Sequence, residues 1–463
     1  MTPDAAPDAA PDAAPDAAPE AAAEAGPDTA PDAAPDSVRP TVSDDPITVA
    51  IVGAGNRGAD VYAEACSRHP RLARVVAVAE PDTDKRERFA VRHGLGANAT
   101  HATWQALFHQ GRIADAVVIA TPDSEHVEPA KAALTLGYDV LLEKPIAPTL
   151  EEVHDLARFA ATAPGRVTVA HVLRHAPFFA TLRSLVAGGR IGDLVQIVHT
   201  ENVGHWHFAH SYVRGNWRRE ADASPMILAK ACHDLDLIRW LVGRPCERVA
   251  SFGGLYHFRP GHAPAGSTDR CLDGCAVERT CPYSAKRIYL ERFGGEARWP
   301  NTVVTSDPTP ERVERALRSG PYGRCVYRCD NDVADHQTVA LSFQGGVDAA
   351  LVVSAFTDAN TRTVHVMGTR GEIHGVMEDG VLEVTDFAAG VTEHVSVPAE
   401  MGHRGADEAL LLDFLTRVRG QSKGPALTEL GASIESHLMA FAAEQARRAR
   451  VGVAVTDLRA PRP

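Results

Sequence analysis

The stretch KACHDLDLIRWL, at residues 230–241, combines titratable side chains with an apolar run. Lys230 and His233 are three positions apart, so on a helix they share one face. The leucines and the isoleucine that follow recur at helical spacing and would hold such a helix in a core. The pattern predicts a helix over 228–242 whose start presents a histidine suited to proton transfer. The alternative is an ordinary capped helix with solvated charges at its open end.

A second polar cluster, HWHFAHSYVRGNWRR, occupies residues 205–219. Aromatic rings beside arginines and amides suit a sugar, which has an apolar ring face and many hydroxyl groups. Arginine also suits a carboxylate, phosphate or sulfonate. The histidine spacing is not a convincing metal pattern, and a surface loop is the alternative. The predicted substrate contacts are His210, Arg214, Asn216, Trp217, Lys230 and His233.

Residues 47–58, ITVAIVGAGNRG, join a β-branched apolar run to the pattern G-x-G-x-x-G. The run is typical of a buried parallel strand, and the glycines allow a pyrophosphate to approach a helix N-terminus closely. A second strand, at 74–79, is followed by Glu80. Its carboxylate can accept hydrogen bonds from both ribose hydroxyls and would repel a 2′-phosphate, which favours NAD over NADP. The predicted loop contacts are Gly53, Gly55, Asn56, Arg57 and Gly58, with a purely structural turn as the alternative.

Two further strands, predicted at 115–120 and 138–142, end in polar residues. Functional residues of doubly wound folds gather at the carboxyl ends of strands, so we expect these residues at the same cofactor cleft. They are Thr121, Pro122 and His126 after the first strand, and Glu143 and Lys144 after the second. A capping box of Thr149 and Glu152 predicts the start of the next helix.

The composition of the 463-residue chain, 23% charged and 44% hydrophobic, is ordinary for a globular protein. Residues 1–36 repeat a Pro-Asp-Ala-Ala unit with nine acidic and no basic residues, so the net charge of −13 leaves −13 − (−9) = −4 for the rest. Proline every four residues prevents a helix, and 1–45 is predicted to be a disordered tail. No basic face for nucleic acid, membrane-length apolar stretch or secretory signal is evident, and we expect a cytoplasmic protein.

Four motifs together resemble the Gfo/Idh/MocA family, the glucose–fructose oxidoreductase and inositol dehydrogenase group. They are the strand-GAGNRG-helix start, ATP-x3-H at 120–126, EKP at 143–145 and HDLD at 233–236, and the resemblance spans roughly residues 46 to 450. It implies an α/β fold: an N-terminal Rossmann dinucleotide-binding domain, then a C-terminal α/β domain with an open, mostly antiparallel sheet. That sheet covers the nicotinamide and binds substrate. The resemblance also implies that Lys144 contacts cofactor and substrate, that its bond to proline is often cis, and that His233 is the catalytic base.

One position departs from the resembled pattern. Many inositol-dehydrogenase-like members carry an aspartate four residues before the histidine, whereas this chain has Ala229 there and Lys230 next to it. A neighbouring lysine favours the neutral imidazole that a base needs, so Lys230 is a candidate for a direct role in the site. The alternative is a lysine that points into solvent.

The second half of the chain reads as a sheet domain. Alternating runs predict its strands at 195–203, 337–343, 347–356 and 361–367, and a helix follows at 428–450. We expect the Rossmann domain at 46–165 and the sheet domain at 166–463, with a Cys-rich insert at about 256–335. Open sheet faces in the resembled family commonly pair, so a homodimer or homotetramer is expected.

The insert holds five of the eight cysteines, in the groups C-x3-C-x5-C and C-x3-C. Two groups from separated segments could supply the four thiolates of a structural zinc site, which would stabilise an insert too small for its own core. Reduced, unliganded cysteines are the alternative, and five candidates for four places leave one spare. The candidates are Cys271, Cys275, Cys281, Cys325 and Cys329, whereas Cys66, Cys232 and Cys246 read as core residues.

These features predict an NAD-dependent oxidoreductase that acts on a sugar, sugar acid or cyclitol, with His233, Lys144 and Lys230 as catalytic residues. A second hypothesis is a redox-neutral, NAD-dependent glycoside hydrolase, because three proton-transfer groups would serve oxidation, elimination and reduction in turn. The arginines near 214 make an anionic or sulfonated glycoside conceivable for it. A third hypothesis is a non-catalytic NAD-binding regulator.

Overall fold

The computed structural model describes residues 45–398, 404–422 and 425–459. The predicted tail, 1–45, lies outside these ranges except for Asp45. The described residues belong to one compact unit.

A six-stranded parallel sheet begins the fold. Its strands are β1 Ile47–Val52, β2 Ala73–Ala79, β3 Thr100–His101, β4 Ala116–Ile119, β5 Asp139–Leu142 and β6 Val167–Val169. Most of their residues are buried, as in a parallel sheet covered by helices on both faces. The spatial order is β3-β2-β1-β4-β5-β6, so the order reverses between β1 and β4, where such folds bind ligands. β6 joins this sheet although it lies beyond the boundary predicted at residue 165.

A nine-stranded sheet forms the second half of the fold. Its strands are β7 Leu194–Gly204, β8 Cys246–Gly254, β9 His336–Phe343, β10 Val347–Thr357, β11 Thr361–Gly368, β12 Gly371–Val376, β13 Val381–Asp386, β14 Val391–Ser396 and β15 Val453–Ala454. They lie in the order β14-β13-β12-β11-β7-β10-β9-β8-β15. The pairs are antiparallel except β7 with β10. The predicted fold class, a Rossmann domain plus a mostly antiparallel sheet domain, is confirmed, and the predicted insert lies between β8 and β9.

The α-helices cover both sheets. They are α1 Glu64–Arg68, α2 Thr83–His93, α3 Trp104–Phe108, α4 Val127–Thr135, α5 Leu150–Ala160, α6 Pro177–Ala187, α7 His205–Phe208, α8 Met226–Ala229, α9 Cys232–Val242, α10 Asn301–Val304, α11 Pro310–Ser319, α12 Arg404–Val418 and α13 Leu430–Ala449. A π-helical segment, Asn56–Ala63, leads into α1. The backbone amide of Glu152 donates to the Thr149 hydroxyl at the start of α5, as the capping box predicts.

The helix predicted over 228–242 is wrong in one respect, because it is broken into α8 and α9. Lys230 and Ala231 lie between the two, and Ala231 adopts φ −92° and ψ 9°, which ends the α-helical path. Lys230 and His233 therefore do not share one continuous helix face. α9 still buries its apolar side, so it serves as a core element that begins beside Lys230.

Buried hydrogen bonds connect helices α13 and α9 to the loops that follow the parallel strands. His437 of α13 accepts a hydrogen bond from the backbone amide of Ile146, which follows β5, at 2.8 Å. Arg174, after β6, donates two hydrogen bonds to Asp236 of α9, at 2.7 and 2.6 Å. These buried links fix the carboxyl ends of the parallel strands against the helix that carries His233. No helix in the described part of the chain has the length and apolar character to cross a membrane.

Candidate active site

The loop after β1 approaches β4 closely. Gly53 has φ +91°, and a Cβ there would lie 2.6 Å from the Ala120 carbonyl oxygen. A Cβ on Gly58 would overlap the Gly53 carbonyl, whereas a Cβ on Gly55 would meet nothing within 4 Å. The loop is thus closed on its inner side and open at Gly55, which is the cradle that a pyrophosphate needs. The residues present fit a bound dinucleotide.

Glu80 stands at the end of β2, beside this loop. Its buried carboxylate accepts hydrogen bonds from the backbone amides of Ala54, at 2.8 Å, and Asp82, at 3.0 Å. A carboxylate has about four acceptor positions, so it retains capacity for ribose hydroxyls. Arg86 turns back to donate to the carbonyls of Glu80 and Pro81, at 2.5 and 3.1 Å, so its guanidinium is engaged by the backbone.

Arg57 and Asn56, predicted to contact the cofactor, have protein partners. Arg57 lies 2.5 Å from Glu143 and 2.7 Å from Asp407 of α12. Burial raises the pKa of Glu143, but the Arg57 and Lys144 charges outweigh it and hold that pKa below its ordinary value. Arg57 and Glu143 therefore form an ion pair behind the loop, and Asp407 of α12 is the second partner of Arg57. Asn56 is exposed and donates to Asp60.

His126 connects the ends of β4 and β5. Its two ring nitrogens lie 3.0 Å from the Thr121 carbonyl and 2.6 Å from the Pro145 carbonyl. The ring is buried, so it fixes the positions of both loops, while Pro122 is exposed at the cleft edge. The Thr121 hydroxyl donates to the Glu125 carbonyl, at 2.8 Å. These contacts place the Thr121 and His126 side chains as supports of the cleft wall.

Lys144 joins the two halves of the site. Its ammonium group donates to the Ala229 carbonyl, at 2.8 Å, from the Rossmann side to the end of α8. The Lys144–Pro145 peptide bond is cis, as the resemblance implied. The carbonyl that Lys144 contacts thus lies one residue before Lys230 and four residues before His233.

Lys230 does not point into solvent. Its ammonium lies 2.9 Å from a Glu201 carboxylate oxygen, and the other oxygen lies 2.6 Å from Arg362 of β11. Burial raises the pKa of Glu201, with the Arg362 and Lys230 charges opposing that shift. The side chain of Lys230 is 13% exposed, so it is held at the cleft by a carboxylate that the strand β7 supplies.

Asp234, next to His233, belongs to the same buried network. It accepts hydrogen bonds from His199, at 2.8 Å, and from Arg362, at 2.9 Å. Burial alone would raise the pKa of Asp234, but Arg362 and His199 hold it well below its ordinary value. Asp234 is therefore an ionised support that links α9 to β7 and β11.

His233 is 3% exposed, at the start of α9. Its ring centroid lies 5.8 Å from that of His171, edge to face, and His171 stands in the same relation to His437 at 5.7 Å. Burial, and then the Arg174 charge, lowers the pKa of His171 well below its ordinary value, so His171 is a neutral neighbour of His233.

Three participants were missed from the sequence: Glu201, Arg362 and His171. Ile197 and Val203 of β7 face the core, and the two-residue period then places Glu201 on the same face. A carboxylate at an inward position was the available signal. His171 lies two residues after the parallel strand β6, in the region where functional residues gather.

The predicted substrate cluster separates into two parts. Trp217 donates its indole N–H to Asp123, at 3.3 Å, and Asn216 is exposed beside it, so these two lie at the Rossmann side of the cleft. His210 is buried. Its Nδ1 shares a hydrogen bond with the Tyr289 hydroxyl, at 2.8 Å, and its ring stacks on Tyr322. Burial, and then the nearby Arg214 charge, lowers the pKa of His210 to about 3.

Arg214 requires a correction. It is 0% exposed, and its guanidinium donates to the carbonyls of Arg324 and Tyr283, both at 2.7 Å, inside the insert. Arg214 has no exposed surface, and the His210 ring is held by Tyr289 and Tyr322, so the packing of the insert engages both side chains. The substrate role predicted for them is not supported by their positions.

The insert cysteines are all free thiols, and four of the five line one small cavity. Among the described residues, no group of three or more His, Cys, Asp or Glu side chains is arranged to hold a metal ion. The zinc prediction is therefore without support from the ligand geometry.

The described geometry brings a dinucleotide cradle, two lysines and a histidine to the junction of the two sheets. Such a set can bind a cofactor at the strand ends, hold an alcohol between Lys144 and His233, and move its proton.

Comparison with known proteins identifies the family and the fold of the chain. A sequence model of the Gfo/Idh/MocA oxidoreductase family, described as an NAD-binding Rossmann fold, matches residues 47–171, and the model of its C-terminal alpha/beta domain matches residues 183–455. The chain is also similar in fold to an oxidoreductase from Agrobacterium radiobacter in complex with NAD+, L-tartaric acid and magnesium. That likeness has a TM-score of 0.64 and 16% identity, and it covers 89% of this chain and 99% of that one.

The curated relatives match this chain over shorter stretches. The oxidoreductase YteT of Bacillus subtilis is 24% identical over 65% of this chain and 72% of its own. Inositol 2-dehydrogenase 4 of Saccharopolyspora erythraea is 30% identical over 49% of this chain and 62% of its own. The 2,7-anhydro-N-acetylneuraminate hydratase of Escherichia coli is 26% identical over 44% of this chain and 52% of its own. The two family models together span most of the chain, and the protein therefore belongs to the Gfo/Idh/MocA family of oxidoreductases.

Proposed function

We propose that the protein is an NAD-dependent dehydrogenase of a sugar, sugar acid or cyclitol. The observation that carries this proposal is the hydrogen bond from the Lys144 ammonium to the Ala229 carbonyl, at 2.8 Å. It brings the end of a cofactor-side strand against the helix start that carries His233. A substrate hydroxyl bound there would reach both groups.

In this proposal each side chain has one task. Lys144 donates a hydrogen bond to the substrate oxygen and stabilises the negative charge that develops on it. His233 accepts the hydroxyl proton, and its neighbour His171 keeps the site free of a second positive imidazole. Bound NAD supplies the acceptor for the hydride. Lys230, held by Glu201, positions a second substrate hydroxyl or an anionic group.

NAD is favoured over NADP on the Rossmann side. In this proposal the Glu80 carboxylate accepts hydrogen bonds from the ribose hydroxyls, and it would repel a 2′-phosphate. Arg86, whose side chain contacts the Glu80 backbone, donates to two backbone carbonyls, so a 2′-phosphate would have to compete with them for its guanidinium.

The test uses His233→Asn with His394→Asn as its control, because His394 is an exposed histidine on β14. Removal of the base should lower kcat by roughly 10²–10⁴-fold while the NAD dissociation constant stays near that of the natural protein. NADH formation across a panel of sugars, sugar acids and cyclitols measures turnover, and calorimetry measures NAD binding. Normal turnover by His233→Asn would show that another group takes the proton.

A redox-neutral reaction is the second candidate. The similarity to a protein named as a hydratase, rather than a dehydrogenase, favours it, and Lys144, Lys230 and His233 would supply the several proton transfers that elimination needs. Protein purified without added NAD would then retain cofactor and release the aglycone from an aryl glycoside with no net NADH. Cofactor binding with no turnover in either assay would instead support a non-catalytic regulator.

We also propose that the open face of the nine-stranded sheet pairs with a second copy to give a homodimer or homotetramer. Val198, Phe252 and Phe356 lie on its outward side, 37%, 69% and 42% exposed. Sedimentation equilibrium would measure the mass, and a monomer at micromolar concentration would oppose the proposal.

A further inference from the structure

Four insert cysteines line one small cavity, about 10 Å³ in volume. Three thiols come from the segment after β8 and one from a segment that follows some 44 residues later in the chain, so only the folded insert brings them together. The four are Cys271, Cys275, Cys281 and Cys325.

A buried positive charge lines the same cavity. Arg214 is 0% exposed and has no carboxylate within 4.0 Å among the residues that the structure describes. Its hydrogen bonds go to two carbonyl oxygens and to the sulfur of Cys271, and no described residue accepts one from the remaining nitrogen, Nη1. A buried cation without an anion costs several kcal/mol, so the arrangement calls for negative charge nearby.

The one carboxylate on this cavity is engaged elsewhere. Glu278 accepts from the Ser284 hydroxyl, at 2.9 Å, and lies 3.9 Å from Lys286. The remaining source of negative charge is sulfur. Cys271 Sγ lies 3.8 Å from Arg214 Nη2 and accepts from the backbone amide of Ala285, at 3.3 Å. Hydrogen-bond donors around a sulfur atom are the usual outer partners of a metal-bound thiolate.

We propose that Cys271, Cys275, Cys281 and Cys325 bind one divalent, zinc-type metal ion, with Arg214 as its counter-charge. Four thiolates and one divalent ion leave two net negative charges, and the guanidinium offsets one of them. Cys329 is the spare cysteine, because its thiol donates to the Cys325 carbonyl, at 3.3 Å. Four sulfur ligands with no open position make the site structural.

A single zinc-type ion needs only the four sulfur atoms to close on one point, whereas an iron–sulfur cluster would also bring several irons and sulfides between them. In the structure, no three of the described side chains yet meet the geometry of a metal centre. Metal binding therefore requires the four thiols to turn inward to roughly 2.3 Å from one point.

The site would position the substrate loop. Arg214 lies two and three residues before Asn216 and Trp217, the loop residues at the Rossmann side of the cleft. A metal that holds Arg214 in the insert would keep that loop in place without touching substrate.

Metal analysis of the full chain tests the proposal. Purified protein should contain about one zinc per chain. Cys281→Ser and Cys325→Ser should lose nearly all of it, whereas the matched control Cys329→Ser should retain it. Arg214→Met should release zinc to a chromophoric chelator roughly 10–100-fold more readily, as outer partners of a metal site do, and Arg214→Lys less so.

A measurement on the natural sequence covers the case in which the serine variants fail to fold. Cobalt exchanged into the protein should show the intense sulfur-to-cobalt absorption and tetrahedral d–d bands of a thiolate site. The proposal is overturned by folded protein that contains no metal and takes up none from added zinc or cobalt, by iron with acid-labile sulfide, or by Cys329→Ser losing metal as fully as Cys281→Ser.

Discussion

At the scale of single residues, the glycine loop shows how one missing methyl group decides between folding and binding. Gly58 has no room for a Cβ because the Gly53 carbonyl occupies the space, while Gly55 faces open space. Gly58 is therefore required by the packing of the protein itself. Gly55 leaves a surface on which a pyrophosphate can rest.

Alanine at these two positions should therefore give opposite results. Gly55→Ala should keep the melting temperature but raise the NAD dissociation constant roughly tenfold, a change of about 1.4 kcal/mol, because its Cβ enters the cradle. Gly58→Ala should cost about 1–3 kcal/mol of stability through overpacking. Gly96→Ala, at another open glycine, is the control. Calorimetric NAD titration and thermal melts measure both effects, and unchanged NAD affinity in Gly55→Ala would place the pyrophosphate elsewhere.

Among the elements, α12 supports the cofactor loop from a distant part of the chain. Its Asp407 accepts two hydrogen bonds from Arg57, at 2.7 and 3.0 Å, and Arg57 also contacts Glu143 at the end of β5. Burial raises the pKa of Asp407, so its ionised form depends on the Arg57 charge. The cofactor loop, the end of β5 and α12 thus share one buried ion-pair network.

Asp407→Asn should weaken that network. Because Glu143 still compensates Arg57, the expected loss is about 1–3 kcal/mol of unfolding free energy, the cost of an impaired buried hydrogen-bonded charge. The control is Asp60→Asn, which breaks an exposed pair with Arg92 and should cost less than about 1 kcal/mol. Urea denaturation measures both variants. Equal stabilities for the two would mean that α12 does not hold the loop.

Across the whole molecule, the junction of the two sheets depends on neutral histidines. Burial, and then the neighbouring His171, lowers the pKa of His437 from 6.5 to about 3. Its uncharged ring accepts the Ile146 amide and joins α13 to the Rossmann half. A protonated ring could not accept that hydrogen bond, so acid should loosen the junction.

The pH dependence has a definite sign. Below pH 6.5 the unfolded chain protonates His437, and the folded protein does not until about pH 3, so stability falls as pH drops through this window and is unaffected above it. At pH 5 this histidine should cost about 2 kcal/mol. His437→Gln, which keeps an acceptor, should lose less stability between pH 7 and 5 than the natural protein, whereas exposed His394→Gln should behave like it. Thermal melts of the three proteins at pH 7 and pH 5 measure this difference. An equal fall in melting temperature for all three would contradict the prediction.

Local patterns determined the elements of the fold and the cradle. The β-branched run at 47–52 forms β1 over those residues, and the strands predicted at 195–203 and 347–356 extend only one or two residues further. Each needs only its own periodicity and neighbours, because a buried strand or a glycine turn is specified within a few residues. The cap at the start of α5, the glycine loop and the position of Glu80 at the end of β2 could be predicted for the same reason.

Tertiary structure decided which polar residues meet. Arg57 pairs with Asp407 across 350 residues of sequence, and no local pattern announces that distance. Lys230 is largely buried instead of solvated because strand register places Glu201 beside it. Arg214 and His210 read as substrate residues from their composition, but the insert between β8 and β9 closes over them. A side chain becomes a ligand, a support or a buried charge according to what packs around it, and that depends on contacts between segments far apart in the chain.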